Sequence, residues 1–338
     1  MAGYDAPPAR SGITMLTVRR IATPPALFSA ACIAIAGVTY APPAAAQQLE
    51  RSVRLTVDND AFNFWVPPRQ RPDDNYTHGA RVAWDVSWTP RFANGWICAR
   101  DARCGGTLEV GQEIYTPTVD ALVPVPGDRP YAGWLYARAE VRGARARTRR
   151  SLDLTAGITG PPSLAGATQR TLHKLVPDFR QPLGWTHQLP TEIAFSVRAR
   201  QSWRIAPSGP AGRVVDLVPT LTASVGTLRT AAGAGVRARG GVRLDHPWLA
   251  SGPSNVALYG FAGVRGELVA RDLFLDGTLF RRSIRVRHVP FLGEWEGGVG
   301  VRVRRMRLEY RVVTRSREYH LGPRTRTNGS FALSWTRR

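Results

Sequence analysis

The chain has 338 residues, 43% of them hydrophobic, and a formal net charge of +21 from 46 Lys+Arg against 25 Asp+Glu. That length allows two soluble domains or a single β-barrel. The charge calls for an anionic partner, but the arginines are spread along alternating segments, with no Lys/Arg-rich run and no RNA-binding fingerprint. This favours an anionic membrane surface over nucleic acid.

The N-terminus has the layout of an export signal. Arg19 and Arg20 form a basic region, Ala26 to Ala36 a short apolar core, and Ala44-Ala45-Ala46 a small-residue cleavage site. Met15 offers an alternative initiator. The core is shorter than the roughly 20 apolar residues of a spanning helix. The expected division is therefore a signal peptide over 1–46 and a single domain over 47–338. Asp5, Arg10, Arg19 and Arg20 carry a net +2 of the +21, which leaves +19 on residues 47–338. Cys32 departs with the signal. Cys98 and Cys104 remain, in an oxidising setting and without the spacing of a zinc site. They are expected to form a disulfide that clips the turn they share.

After Gln47 the dominant pattern is two-residue alternation. Val82, Trp84, Val86 and Trp88 alternate with Arg81, Ala83, Asp85 and Ser87. Ile193, Phe195 and Val197 alternate with Glu192, Ser196 and Arg198; Leu308, Tyr310 and Val312 alternate with Arg307, Glu309 and Arg311. One face of each segment is apolar and the other polar. The apolar faces run about ten residues, the length of a tilted membrane-crossing strand. Trp88, Trp134, Tyr136, Trp203 and Trp335 lie near strand ends, where an interfacial aromatic girdle belongs. The polar face then points inward.

Twelve strands are expected, at 51–58, 79–88, 106–115, 132–142, 150–158, 191–203, 213–226, 229–241, 255–268, 293–303, 306–318 and 328–336. The fold class is all-β: a 12-stranded antiparallel transmembrane barrel with a helix-containing extracellular loop. An even strand number puts both termini in the periplasm. Segments 59–78, 116–131, 159–190, 269–292 and 319–327 then lie on the outer rim. The shorter connections lie on the periplasmic side, where the 242–254 turn is unexpectedly long.

The stretch Gly157 to Glu192 stands apart from this alternation. Pro161, Pro162 and Ser163 form a helix start, with Ser163 as cap, and Pro177 a stop; the helix between them spans Leu164 to Val176. A long loop with its own helix inside a β protein is usually functional. His173 sits near the end of that helix. Strand parity gathers Asn59, Asp60, the 73–78 segment with Thr77 and His78, Asp128, Arg129 and His173 on the same rim.

The motifs VDNDAF (57–62), NYTHGARVAW (75–84), GQEIYTP (111–117), GDRPYAGWLY (127–136), GITGP (157–161), QRTLHK (169–174), GWTHQLPTE (184–192), LDGTLF (275–280) and RSREY (315–319) follow in order over nearly all of residues 47–338. In this the sequence resembles the outer-membrane lipid A 3′-O-deacylases, the LpxR family. The resemblance implies a 12-stranded barrel with a site between the barrel wall and a helix of an outer loop. It also implies Ca²⁺-dependent hydrolysis of the 3′-acyl ester of lipid A by a single-chain barrel in the outer membrane.

By the same resemblance His173 is the general base, and Asn59, Asp60 and Thr77 complete the catalytic set. Asn59 and Asp60 are the Ca²⁺ ligands, hard oxygen donors suited to a hard cation. Arg129 and Lys174 are expected to meet lipid A phosphates. Some members carry a lysine in the loop after the third strand. Here the nearest position is Leu122, and 116–127 holds no Lys or Arg. Two other classes remain: a non-catalytic barrel of the same fold, and a basic exported binding protein, which the alternation argues against.

Overall fold

The computed structural model describes residues 51–64, 75–99, 101–175, 181–208, 213–249 and 256–337. The chain divides into Met1–Pro43 and Ala44–Arg338. The expected export signal and its cleavage point lie outside the described residues.

Twelve strands form a closed antiparallel barrel: β1 Arg51–Asn59, β2 Asn75–Val86, β3 Arg103–Thr116, β4 Ala132–Ala144, β5 Thr148–Thr159, β6 Ile193–Trp203, β7 Val215–Val225, β8 Arg229–Val242, β9 Val256–Asp272, β10 Phe291–Val303, β11 Met306–Ser316 and β12 Thr325–Arg337. Each pairs with its chain neighbours, and β1 closes on β12 with Asn59 opposite Gly329. Closure leaves no unpaired edge, the condition for strands to cross a bilayer. None of the described helices is long and apolar enough to cross a membrane.

The alternation sorts side chains as expected. Val53, Leu154, Phe195, Leu221, Val264, Trp295, Val299 and Leu308 are exposed on the outer wall. Inside, a cavity of about 710 Å³ is lined by thirteen arginines and six carboxylates. Many of these are paired: Glu296 accepts from Arg237 and Arg311, Asp85 from Arg142, and Glu140 from Arg149. Much of the positive charge therefore sits within the barrel. Trp88, Trp203 and Trp335 are exposed, as a girdle requires. Trp134 and Tyr136 are not: they are 2% and 6% exposed and face inward. They pack with Leu189, Leu273 and Phe274 across the extracellular mouth. Near that mouth the lumen holds a filling of side chains, so a strand-end aromatic there serves the interior.

The long 242–254 turn has a reason. Its described part, 243–249, folds under the periplasmic mouth. The Asp245 carboxylate accepts from Arg302 at 2.6 and 2.9 Å and from Arg307 at 2.9 Å. His246 Nε2 donates to the Ala146 carbonyl at 2.8 Å, and Trp248 Nε1 to the Arg145 carbonyl at 2.7 Å. His246 to Leu249 thus help line the lumen. Cys98 and Cys104 are bonded, with Cα atoms 5.7 Å apart, and clip the β2–β3 connection.

Two local expectations are corrected. β2 starts at Asn75 instead of 79, so NYTH belongs to the wall; a register shift between Tyr76 and His78 leaves Thr77 as an extra residue. The loop helix α1, Ala165–Leu175, follows a 3-10 turn at Pro161–Ser163, with Leu164 between them in the left-handed region. Ser163 does not cap the helix: its hydroxyl donates back to the Gly160 carbonyl at 2.6 Å.

Candidate functional site

The site begins with a choice of face in the sequence Asp58-Asn59-Asp60. Asp58 points into the lumen. Its carboxylate accepts from the Tyr76 hydroxyl (2.8 Å), Arg81 (2.6 Å) and Ser330 (2.6 Å). Alternation then turns Asn59 outward. Opposed residues of antiparallel strands share a face, and the register reads Asn59–His78–Ile114–Gly133 across β1 to β4. Lumen-lining Arg81, Thr107, Glu109 and Arg138 lie on the other parity, so this row is on the outer wall. Thr77, the bulged residue, shares a 2.6 Å hydroxyl hydrogen bond with Thr116, which has the parity of Ile114.

α1 packs on this wall. Ile114 is fully buried in a cluster with Tyr131, Ala165 and Trp185. A Cβ at Gly133 would run into Ser163 and Ala165, so only glycine lets the helix start sit so close. Trp185 holds the helix from the side. Its Nε1 donates to Gln169 at 2.7 Å, its ring lies against Gly166, and Tyr131 packs on it at 4.9 Å. Ala165, Gly166 and Gln169 are the buried residues of the helix. His173, one turn past Gln169, lies on the same stripe and is half-buried. Lys174 is exposed.

The other flank is the 3-10 turn Asp60–Phe62, which leaves β1 and folds over the outer face of β12. A Cβ at Gly329 would strike Phe62, and the Tyr310 hydroxyl donates to the Phe62 carbonyl at 2.7 Å. Phe62 and Tyr310 each pack on Phe331, at 5.3 and 5.0 Å. Phe64 extends this aromatic shelf and is exposed. The strip between shelf and helix carries Asn59, Asp60, Thr77 and His78. His78 Nδ1 is buried without a hydrogen-bond partner among the described residues.

The oxygens fit a hard cation in kind. Asn59 Oδ1 and Asp60 Oδ1 both accept the Ala61 N–H at 2.8 Å, so an amide and a carboxylate oxygen converge at one turn. With Thr77 this is an oxygen-only set of the type Ca²⁺ takes. Among the described residues no group of three or more His, Cys, Asp or Glu could hold a metal, so these oxygens alone would be a partial ligand set.

The structure brings Asn59, Asp60 and Thr77 together on one face and puts His173 on the wall-facing side of α1. Arg129 is elsewhere. It is 3% exposed, its guanidinium lies 4.7 Å above the Tyr115 ring, and it pairs with Glu318 at 3.3 Å. Burial alone would raise the Glu318 carboxyl, but Arg326, Arg129 and Arg315 hold it below the usual carboxylate range. Arg129 lines a cavity of about 260 Å³ in the upper lumen, not the exposed rim expected of a phosphate contact. Neither this cavity nor the larger one below it is lined by Asn59, Asp60, Thr77 or His173. Both cavities are on the luminal side of the wall, away from a lipid in the bilayer.

Sequence reasoning assigned no role to His78 or Trp185. Starting β2 at 79 left His78 in a loop; carrying the alternation back through Asn75 would have placed it opposite Asn59. Trp185 stood in a quoted motif, but its pairing with Gln169 is a contact across the loop that no local pattern announces.

The family model of Outer membrane protein LpxR matches residues 27–337. The chain belongs to the LpxR family. The solved structure of LpxR from Salmonella typhimurium superposes with a TM-score of 0.71 at 18% identity, covering 84% of this chain and 99% of that one. The β domain of the Bordetella autotransporter BrkA is also similar, at 11% identity and a TM-score of 0.43, over 85% of this chain and 98% of that one. No curated protein matches the sequence at a significant level. As an LpxR family member the chain is a protein of the bacterial outer membrane. Membership and the shared barrel support an outer-membrane lipid A deacylase.

Proposed function

We propose that this chain hydrolyses the 3′-linked acyl ester of lipid A on the outer wall of its barrel. One observation carries the reading: Asn59, Asp60 and Thr77 lie on the lipid-facing side of the wall on which the helix packs, and half-buried His173 sits one turn past the buried Gln169 of that helix. The strip lies at the extracellular ends of β1 to β4, the height at which an acyl ester of the outer leaflet meets polar headgroups. No Ser-centred elbow motif supplies a nucleophile, so water is the attacking group.

His173 takes the proton from that water, which attacks the ester carbonyl carbon. As the tetrahedral adduct collapses, the bond between the acyl carbon and the 3′ oxygen breaks, and the imidazolium returns the proton to the departing 3′ oxygen, leaving a free fatty acid and a 3′ hydroxyl. Asn59 and Asp60 would hold Ca²⁺, which when bound supplies positive charge at the carbonyl oxygen. The Thr77 hydroxyl, fixed by Thr116, lies on the same face to position water or substrate. The shelf of Phe62, Phe64, Tyr310 and Phe331 offers the acyl chain an apolar rest. Exposed Lys174 is the candidate phosphate contact at the helix end. Every residue of this scheme belongs to one barrel, so a monomer suffices.

Mass spectrometry of lipid A from cells expressing the protein tests the reading. Loss of the mass of the 3′-linked acyl group is expected. Unchanged lipid A, with the barrel folded in the outer membrane, would overturn it. The second reading, a non-catalytic barrel, is favoured by Leu122, which stands 65% exposed where some members carry lysine. Leu122→Lys is then the first variant to make.

A further inference from the structure

We propose that two joined extracellular loops on the β9–β12 side form a separate docking surface for a phosphorylated glycolipid of the outer leaflet. The loops are 277–290 and 317–324. They are zipped together by backbone: Val289 N donates to Glu318 O (2.8 Å), His320 N to Arg287 O (3.0 Å), and His288 bridges to Tyr319. Beneath them Leu275, Val286 and Tyr319 form a buried cluster. The two loops are one built body with a defined outer surface.

That surface is basic without compensation. Arg281, Arg282, Arg285, Arg287, Arg317 and Arg324 are all exposed, and none forms an ion pair among the described residues. The one acid of these two loops is Glu318. It faces down, engaged by Arg129, Arg315 and Arg326. Most lumen arginines have a carboxylate partner; these six do not. Guanidinium groups clustered in this way suit phosphate, which they can take bidentately.

The same surface is apolar at its tip. Leu279, Phe280 and Leu321 are 50%, 79% and 77% exposed. The tip is held in place: the Glu192 carboxylate accepts from the Leu279 and Phe280 N–H groups, each at 3.0 Å, and Thr278 N–H is held by Ser283 Oγ at 2.9 Å. A buried carboxylate thus fixes the backbone so that two large apolar side chains project beside Arg281 and Arg282. A free polyanion has no use for Phe280, and a neutral lipid none for the arginines. An amphiphile with phosphates satisfies both, and the loops lie at the end of the barrel where the outer leaflet presents its headgroups.

The surface rests on the outer-membrane placement but is separable from the deacylase reading. The test therefore uses full-length His173→Ala protein in neutral detergent, where turnover cannot alter the ligand. Retention of bisphosphorylated lipid A and of fully dephosphorylated lipid A is compared by native mass spectrometry. The starting protein should prefer the phosphorylated form. Arg281→Ala with Arg282→Ala should weaken its retention about 30-fold, at roughly 5-fold per guanidinium, and leave the dephosphorylated form unchanged. Phe280→Ala should weaken both forms alike.

Equal retention of the two lipids, or a double variant indistinguishable from its parent, overturns the proposal. So does complete displacement of lipid A by millimolar inorganic phosphate, which would mean a simple anion site. Heat-modifiable mobility of each variant shows that the barrel is intact. Lipid preference in a protein that never deacylates would sink the proposed function alone; deacylation without the preference would sink this surface alone.

Discussion

Replacing Gly133 with alanine asks whether the position of α1 governs catalysis. Gly133 lies on the outer wall of β4, and a Cβ there would come well inside 3.0 Å of Ser163 Oγ and Ala165 Cβ. Carbon atoms rest at about 3.5–4.0 Å, so the start of α1 must rise by about an ångström or more. The strand pairs of β4 need not change. His173 rides on the same short helix, and a displacement of about 1 Å in a reacting group costs on the order of 10² in rate. The expected result is a barrel of normal heat-modifiable mobility whose lipid A deacylation has fallen about 100-fold. Gly297→Ala is the control, because its Cβ would meet nothing closer than Phe261 O at 3.8 Å. A Gly133→Ala protein that deacylates at the wild-type rate would refute the idea that α1 is held at a catalytic distance from the wall.

Other outcomes follow from the same geometry. His173→Ala should lose on the order of 10²–10⁴ in rate with the barrel intact, as measured by release of the acyl group. Asp60→Ala should be partly restored by excess Ca²⁺, and a chelator should stop the wild type; a rate indifferent to chelation would exclude the metal. Replacing Cys98 and Cys104 with serine should cost at most about 2–3 kcal/mol, since the bond closes a short loop, and gel mobility should show a folded barrel. At the periplasmic mouth, burial holds His246 below the ordinary imidazole range; its hydrogen bond to the Ala146 carbonyl opposes this, and the Arg204 and Arg239 charges add to it. Its Nδ1 accepts the Leu249 N–H at 3.2 Å, so protonation would break that contact. A lowered folded pKa means that stability is whole above about pH 6.5 and declines as pH falls below it. Proteolysis of the 243–249 turn should quicken at pH 5 relative to pH 7.5, and His246→Gln should remove the difference.

The barrel was legible because its information is local and periodic. Every strand carries its own inside and outside, and twelve such segments with closed parity leave few other architectures. What escaped was set by contacts between distant segments. Trp134 and Tyr136 were assigned to the girdle by their position at a strand end, yet Leu189 and Phe274, from two other loops, draw them inward. Arg129 was assigned to the rim, but Glu318 comes from nearly two hundred residues away to bury it. The candidate site was legible to the extent that Asn59, Asp60 and Thr77 follow from strand parity and family motifs. His78 was hidden by a strand start placed four residues late, and the Gln169–Trp185 clamp by its separation along the chain.

The turn that closes on Asp245 and the aromatic filling around Phe274 occupy parts of the lumen near its opposite ends. The proposed reaction takes place on the other side of the wall, so its substrate need not enter that lumen. In that scheme substrate and product come and go sideways within the leaflet. Encounter becomes a two-dimensional problem, set by how densely lipid A is packed around the wall and how fast neighbours exchange there. A fatty acid released by the proposed hydrolysis would stay in the sheet of lipid it came from, facing the protein's own apolar exterior.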